Sequence, residues 1–516
     1  MGYNCRSLFN EPCYIGPNNI HGSDFMALAN DAPHLEWDAA SMMSILSYGY
    51  PLGDRTIFKG IKRIPWLSEL HDNGQIRLSD IPPHGYIWVE PKVAAKNLFD
   101  LLCEELSNAI DGASYIYILL SGGLDSRIVA GVIRHLRNIG LATQRVICVT
   151  WGTENSRDVH YAKILSETYG FEWQYVPLAE INLKDNIERM ARKLGAANSP
   201  HHLHRMDWFE DNALPNSVVL AGSYGDSVGR AEFSKRTVLE LLPLQAFNYQ
   251  GLLSTGVSRV AAAQFKSEIL DLNSRTGLES PDYVKREHEQ QGHYMRGLIA
   301  HTMSIISQSP NCRLYQAFTS PEVYGYMWSL HPATRDDRIY AELLEIIGRD
   351  AASLPWARSN RSLKGEANFA RGDLNPNYHD YETWGRNIIK ELIDEDGDKS
   401  FFDSFDEMGL FDRANIENLF HGFVKQDVKI LSHGNQAYSA ILCLLTFRRI
   451  RQLVDREITP PVLEAGASFG LNVESDNRSH IRRLLSNIPI VRDSAGSVRR
   501  RYLRRASIKK YPPRMV

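Results

Sequence analysis

Residues 115–132, YIYILLSGGLDSRIVAGV, hold the side chains and glycines best suited to handling a phosphate. Ser121, Gly122 and Gly123 form a small-residue turn, and a helix opening at Leu124 and Asp125 would point its unpaired backbone N–H groups and its positive dipole end into that turn. The N–H groups of Ser121, Gly122, Gly123 and Leu124 would then converge on an anion, with Ser126 close behind. Glycine lets the backbone come near without a Cβ in the way. Asp125 repels a phosphate directly, yet it can hold a Mg²⁺ that bridges phosphate oxygens. No Gly-Lys-Ser/Thr follows the glycines, so the loop is not a Walker A motif.

These groups need a strand before the loop and a helix after it. Residues 115–120 are β-branched and aromatic, the length of a buried strand, and Ile128, Val129 and Val132 carry helical spacing. Residues 93–110 read as an amphipathic helix leading into the strand, with Leu98, Leu101, Leu102, Leu106 and Ile110 on one face. A second buried strand is predicted at 145–151, followed by a polar turn and a helix opening at Asp158. For Asp158, support of the helix end and a ligand role weigh equally. A third apolar run at 217–221 ends in another glycine-punctuated loop, GSYGDS. In a doubly wound sheet, loops at the carboxyl ends of strands line the ligand crevice. His201, His202 and His204 cluster in PHHLHRMDW. Two of them have spacing for a metal, but no nearby Cys or Glu completes a ligand set, and a pocket loop or plain surface histidines are the better readings.

SGGLDSR resembles the ATP-pyrophosphatase loop, or PP-loop, of the asparagine synthetase family, whose relatives include β-lactam synthetases and lasso-peptide cyclases. The passage YGYPLGDRTIFKGIKRIP is similar to the segment closing that family's N-terminal glutaminase domain, and the likeness spans about residues 40–455. It implies an α/β fold: a doubly wound, mostly parallel sheet, with a helical C-terminal portion and a shortened N-terminal domain. It also implies ATP and Mg²⁺ as cofactors, with adenine and ribose near Leu119 and the stretch from Thr150 to Gly152. GSYGDS is similar to the family's Gly-x-Gly-x-Asp-Glu, aligned on Gly222 and Asp226. This adds Ala221 and Gly222 to the nucleotide site and makes Asp226 the partner of Asp125 in holding the metal. Tyr224 stands where the family has its middle glycine, Ser227 where it has an acid. Ser223 matches neither the Glu of asparagine synthetases nor the Tyr of β-lactam synthetases. Tyr224 is read as packing in preference to supplying a phenol. Residues 354–365 occupy the place of the family's catalytic lysine loop, with Lys364 as the lysine and Arg358 and Arg361 as phosphate clamps. Arg313 lies in a degenerate version of another family passage, with a substrate carboxylate or a structural ion pair as equal readings.

The chain has 516 residues, 43% hydrophobic and 23% charged, with a formal net charge of −3, which fits an ordinary globular protein of more than one domain. The expected division is residues 1–92 as a remnant glutaminase-like region, 93–455 as the ATP-pyrophosphatase domain and 456–516 as a basic tail. That tail, with Arg482, Arg499, Arg504, Lys509 and others, reads first as solvated and otherwise as a contact for an anionic surface. The balanced overall charge gives no reason to expect nucleic acid. No run reaches the ~18 apolar residues of a membrane span, so a cytoplasmic location is the default. Six scattered cysteines without a C-x-x-C pair argue against a zinc ribbon, an Fe–S cluster or a disulfide framework. Met1 is followed by Gly2, not by the cysteine the family uses for glutamine hydrolysis, and Cys5 is better read as structural.

The expected activity is ATP-dependent amide formation through an acyl-adenylate. A small-molecule carboxylate is the substrate, and ammonia, a separate glutaminase or an amine supplies the nitrogen. The alternatives are an intramolecular lactam or peptide cyclase and a non-catalytic nucleotide-binding relative. Sulfur transfer to tRNA is disfavoured by the lack of paired cysteines.

Overall fold

Apolar runs that do not alternate become strands covered on both faces. The computed structural model describes residues 3–5, 13–51, 53–64, 68–71, 73, 75–78, 87–230, 245–274, 303–331, 333–363, 372–431, 435–461 and 514–515. Short antiparallel strands lie near the N terminus, followed by helix α1 (Ala39–Tyr48). Helix α2 (Pro91–Ile110) leads into strand β1 (Tyr115–Leu119), then α3 (Leu124–Asn138), β2 (Arg145–Gly152), α4 (Arg157–Tyr169), β3 (Glu172–Pro177), α5 (Glu180–Leu194) and β4 (Ser217–Ala221). Helix α6 (Thr255–Ser274) precedes β5 (Cys312–Gln316). Beyond it come α7 (Asp337–Ile347), α8 (Tyr381–Asp396), α9 (Arg413–Val424) and α10 (Asn435–Leu453).

The five strands form one parallel sheet in the order β3-β2-β1-β4-β5. Successive side chains of β1 serve opposite faces. Ile116 and Ile118 pack with Leu98 and Leu102 of α2, Ile128 and Val132 of α3, and Leu343 of α7. Tyr117 and Leu119 pack with Met190 and Leu194 of α5, Phe209 and Ile305. The fold is therefore the doubly wound α/β class expected. The chain winds outward from β1 through β2 and β3, then returns to lay β4 on the other side of β1. The two windings diverge at the carboxyl ends of β1 and β4, which is where such sheets open a crevice.

A third core joins distant parts of the chain. Tyr14, Phe25, Trp37, Met42 and Phe58 pack in one cluster with Ile388 of α8, Phe420 of α9, and Ile441 and Leu445 of α10. The aromatic rings of Phe25 and Phe58 stack at 5.6 Å. Among the described residues, no helix is long and apolar enough to cross a membrane. The five cysteines described are free, with Cys148 and Cys443 fully buried as small core residues. Lys364 and the basic positions 482–510 lie outside the described residues.

Candidate functional site

The glycine turn sits where the sequence placed it, between β1 and α3, at the point where the sheet reverses its winding. Gly123 is the N-cap of α3 and no side chain caps the helix, so its first turn offers N–H groups toward the loop. The loop is also bonded to itself. Ser126 Oγ accepts from Ser121 N at 3.1 Å, and Ser121 Oγ accepts from Gly123 N at 3.1 Å. These hydroxyls hold the N–H groups that a phosphate would take over through stronger, charge-assisted bonds.

Beside the loop lies a cavity of about 350 Å³ lined by Leu119, Ser121, Gly123, Asp125, Ser126, Ala221 and Gly222 among the expected nucleotide residues. The remaining expected residues have other positions. Leu124 is buried in the core, so its contribution to an anion site is its backbone alone. A Cβ on Gly122 would lie 2.7 Å from Ala357 Cβ and 3.0 Å from Asp158 Cα, so this glycine serves a protein contact instead of the approach of an anion. Thr150 points away from the cavity and donates from Oγ1 to Leu120 O at 2.8 Å, while its neighbours Val149 and Trp151 line the wall. Gly152 ends β2 at φ 148, packed under Tyr378, whose carbonyl accepts from Thr153 N at 2.9 Å.

The second glycine loop presses on the first. A Cβ at Gly222 would fall 2.6 Å from Ser126 N and 2.7 Å from Asp125 C, and Gly225 lies directly against the Asp125 carboxylate. Asp226, next in the chain, shares its neighbours with Asp125, since both carboxylates act on Arg230 and Tyr340. Tyr224 takes φ 69, a conformation costing a residue with a Cβ about 1 kcal/mol. The glycine geometry of the loop thus persists without the glycine, and the Tyr224 ring is buried in the core as packing.

The loop expected to carry the lysine comes to the phosphate loop as well. Ala357 N donates to Gly122 O at 3.0 Å, and Trp356 N to Arg361 O at 2.9 Å, closing a tight turn. Arg127, the last residue of SGGLDSR, is 1% exposed and donates to Leu354 O at 2.7 Å, Pro355 O at 2.8 Å, Ala351 O at 3.1 Å and Gly122 O at 3.3 Å. Burial lowers its pKa to about 10, which leaves it charged at neutral pH. One guanidinium therefore staples the two loops together. Arg358 is exposed with its guanidinium 5.6 Å from the Trp356 ring. Arg313 is elsewhere: at the amino end of β5 it donates to Ala109 O at 2.6 Å, a role in holding the end of α2 and neither of the two expected.

The wall opposite the loop was legible only as a histidine cluster. The segment after α5 crosses the sheet edge and puts Asn198, His202, His204 and Met206 into the cavity, with Met303, Ser223 and Tyr378. His204 stacks on Trp151 at 5.6 Å and shares a 2.7 Å hydrogen bond with the Tyr381 hydroxyl. Burial, then the neighbouring imidazoles, lowers His202 to about 4 and His204 to about 3, so both are neutral at physiological pH. Asn198 is fully buried, and its Nδ2 has no hydrogen-bond partner among the described residues. Asp158 also lines the cavity. Burial raises its carboxyl to about 6, offset in part by a hydrogen bond from Gly122 N. Ser156, not Asp158, caps α4.

Among the described residues, no group of three or more His, Cys, Asp or Glu side chains is arranged to hold a metal ion. Two aspartates whose loops touch suit a hard cation that fills most of its shell with water and phosphate oxygens, which is how Mg²⁺ binds.

A glycine loop at a switch point, feeding a helix whose first turn carries an aspartate, is an arrangement suited to a phosphate and its metal ion. Residues 101–228 match the family model described as asparagine synthase. That segment, about a quarter of the chain, is similar to asparagine synthases. Among solved structures, an NMN synthetase from Francisella tularensis aligns at 14% identity with a TM-score of 0.20, covering 47% of this chain and 94% of that one. No curated protein matches the chain.

Proposed function

We propose that the protein activates a carboxylate with ATP, forming an acyl-adenylate and pyrophosphate, and transfers the acyl group to an amine or ammonia. The observation that carries this reading is the contact of two glycine loops at the carboxyl ends of β1 and β4, in which Gly225, the neighbour of Asp226, lies against the Asp125 carboxylate at the start of α3. A carboxylate lacks a leaving group, and attack of its oxygen on the α-phosphate supplies one in AMP. The loop N–H groups bind the charge that gathers on the departing pyrophosphate. Mg²⁺, held by Asp125 and Asp226, would neutralise it further. Ser121 and Ser126 turn their hydroxyls from the loop toward phosphate oxygens. The neutral wall of Trp151, His204 and Tyr378 keeps water from the adenylate.

Cyclisation within one substrate is the second reading. It is favoured by the lack of any Lys or Arg among the described residues that line the cavity. Lys364 is retained as the catalytic lysine of this proposal, as the turn before it is tied to Gly122.

The test is nucleotide turnover by the full-length protein with Mg²⁺, separating AMP plus pyrophosphate from ADP plus phosphate. Aspartate with ammonia, aspartate with glutamine and N-blocked amino acids or short peptides are offered in turn. AMP formation abolished by Asp125→Asn supports the reading. Formation of ADP, or AMP formation indifferent to Asp125→Asn, refutes it.

A further inference from the structure

Arg230 follows the second glycine loop and faces the same carboxylates. Its Nη2 lies 3.9 Å from Asp125 Oδ2, and its Nη1 lies 3.4 Å from Asp337 Oδ1. The guanidinium sits between two rings, 5.4 Å from the centroid of Tyr340 and 5.1 Å from that of Trp356. Only 11% of the side chain is exposed, and Nε is buried with no hydrogen-bond partner among the described residues. Burial works against its charge, but Asp125, then Tyr340, Asp337 and Asp226, more than restore it. Aromatic faces attract a cation but offer its in-plane N–H groups no acceptor, and the hydrogen bond from Nη1 to Asp337 Oδ1 is long at 3.4 Å. At 3.9 Å the Asp125 contact is electrostatic, beyond hydrogen-bond length. Arg230 is thus charged, desolvated and short of acceptors, beside the aspartates expected to hold a metal.

Trp356 belongs to the turn bound to Gly122 through Ala357, and Arg358 lies against the same ring. The Arg230 guanidinium therefore lies beside Asp125, where the 354–361 turn meets the phosphate loop. A planar fork of this kind pairs bidentately with phosphate oxygens.

We propose that Arg230 is a phosphate-binding residue that exchanges partners. In the nucleotide-free protein it is the counter-ion of Asp125 and Asp226. When Mg²⁺ arrives with ATP and takes over those carboxylates, Arg230 pairs with the β- and γ-phosphates and then with the released pyrophosphate. No covalent bond changes in this step; one cation replaces another at the aspartates. The inference rests on the proposed ATP site, and it makes metal binding contingent on nucleotide.

The test measures affinities of the full-length protein for Mg²⁺-pyrophosphate, for AMP, and for Mn²⁺ alone, by calorimetry and by the spin-resonance signal of free Mn²⁺. Arg230→Gln should weaken pyrophosphate binding by about tenfold or more, as expected for loss of a charge-assisted contact, and leave AMP within about twofold. Mn²⁺ without nucleotide should bind Arg230→Gln more tightly than wild type, since the competing cation is gone. Arg230→Lys, which keeps the charge and loses the fork, should fall between and decides the matter if the Gln variant does not fold. Pyrophosphate affinity within twofold of wild type, equal losses for AMP and pyrophosphate, or no pyrophosphate binding by wild type would each overturn the assignment. If wild type binds pyrophosphate through Arg230 but forms no AMP with any carboxylate, the ligase reading fails and the phosphate role stands.

Discussion

Replacing Arg127 by Met should release the 354–361 turn from the phosphate loop without unfolding the sheet. Arg127 is the only described donor shared between Gly122 O and the carbonyls of Ala351, Leu354 and Pro355. Three of its four contacts, at 2.7, 2.8 and 3.1 Å, have full hydrogen-bond length. A hydrogen bond to a charged group contributes about 1.5–3 kcal/mol, and each carbonyl left buried and unpaired costs about 1 kcal/mol or more. Against this, Met recovers the cost of burying a charge, which the lowered Arg127 pKa records. A net of about 3–4 kcal/mol in local opening follows, and at 1.4 kcal/mol per decade that is a rise in the open population of roughly 140- to 700-fold. Hydrogen exchange followed by mass spectrometry reads it directly, because Ala357 N–H is bonded to Gly122 O and exchanges only when that contact opens. Peptides from β2 and α4 serve as the control. Acceleration below about threefold in the 351–361 peptides would refute the staple, as would equal acceleration throughout the domain.

Three further outcomes follow from the same geometry. Gly222→Ala places a Cβ 2.6 Å from a backbone nitrogen that cannot yield, so ATP affinity by calorimetry should fall by about tenfold or more, and unchanged affinity would mean the loops are not coupled. Asp158 has a folded pKa of about 6, above its unfolded value, so its ionisation penalises the folded state fully above about pH 6 and not at all below about pH 4. The wild type should therefore gain up to about 2–3 kcal/mol over Asp158→Asn as pH falls through that window, and parallel stability curves would exclude it. Asn198→Ala removes a donor aimed into the cavity together with the Oδ1 acceptor of Ser199 N, so stability should change by no more than about 1 kcal/mol while the KM of the acyl substrate rises about fivefold or more. A large loss of stability with unchanged KM would make the residue structural.

The parts of this fold that could be read from the sequence are those where local pattern and tertiary role coincide. A strand buried on both faces is a continuous apolar run, so β1, β2 and β4 announced themselves, and the glycine loops marked their carboxyl ends. The same continuity hides orientation: with no alternation in 145–151, nothing tells that Val149 and Trp151 face the cavity while Thr150 faces Leu120. Gly122 was visible as a glycine, but its reason, the approach of Ala357, lies more than two hundred residues away. Asn198 carries no local signal, because its placement depends on a crossing segment between α5 and β4. Arg230 stands in the same position, its rings supplied by Tyr340 and Trp356. The aspartate pair was found through likeness to a family, with Tyr224 obscuring the second loop while keeping its backbone shape.

The core shared by Tyr14, Trp37 and Phe58 with α8, α9 and α10 has a consequence for biosynthesis. The segments that complete it are separated by more than three hundred residues of chain, so a ribosome emits the first half of that core long before the second exists. During this interval the early segments can pack only against α5 and α6, and the apolar faces that α8, α9 and α10 later cover depend on chaperones or on transient burial. Trimming the chain before α8 would leave those faces open permanently, and a soluble excised ATP-binding domain would need the early segments removed along with the late ones.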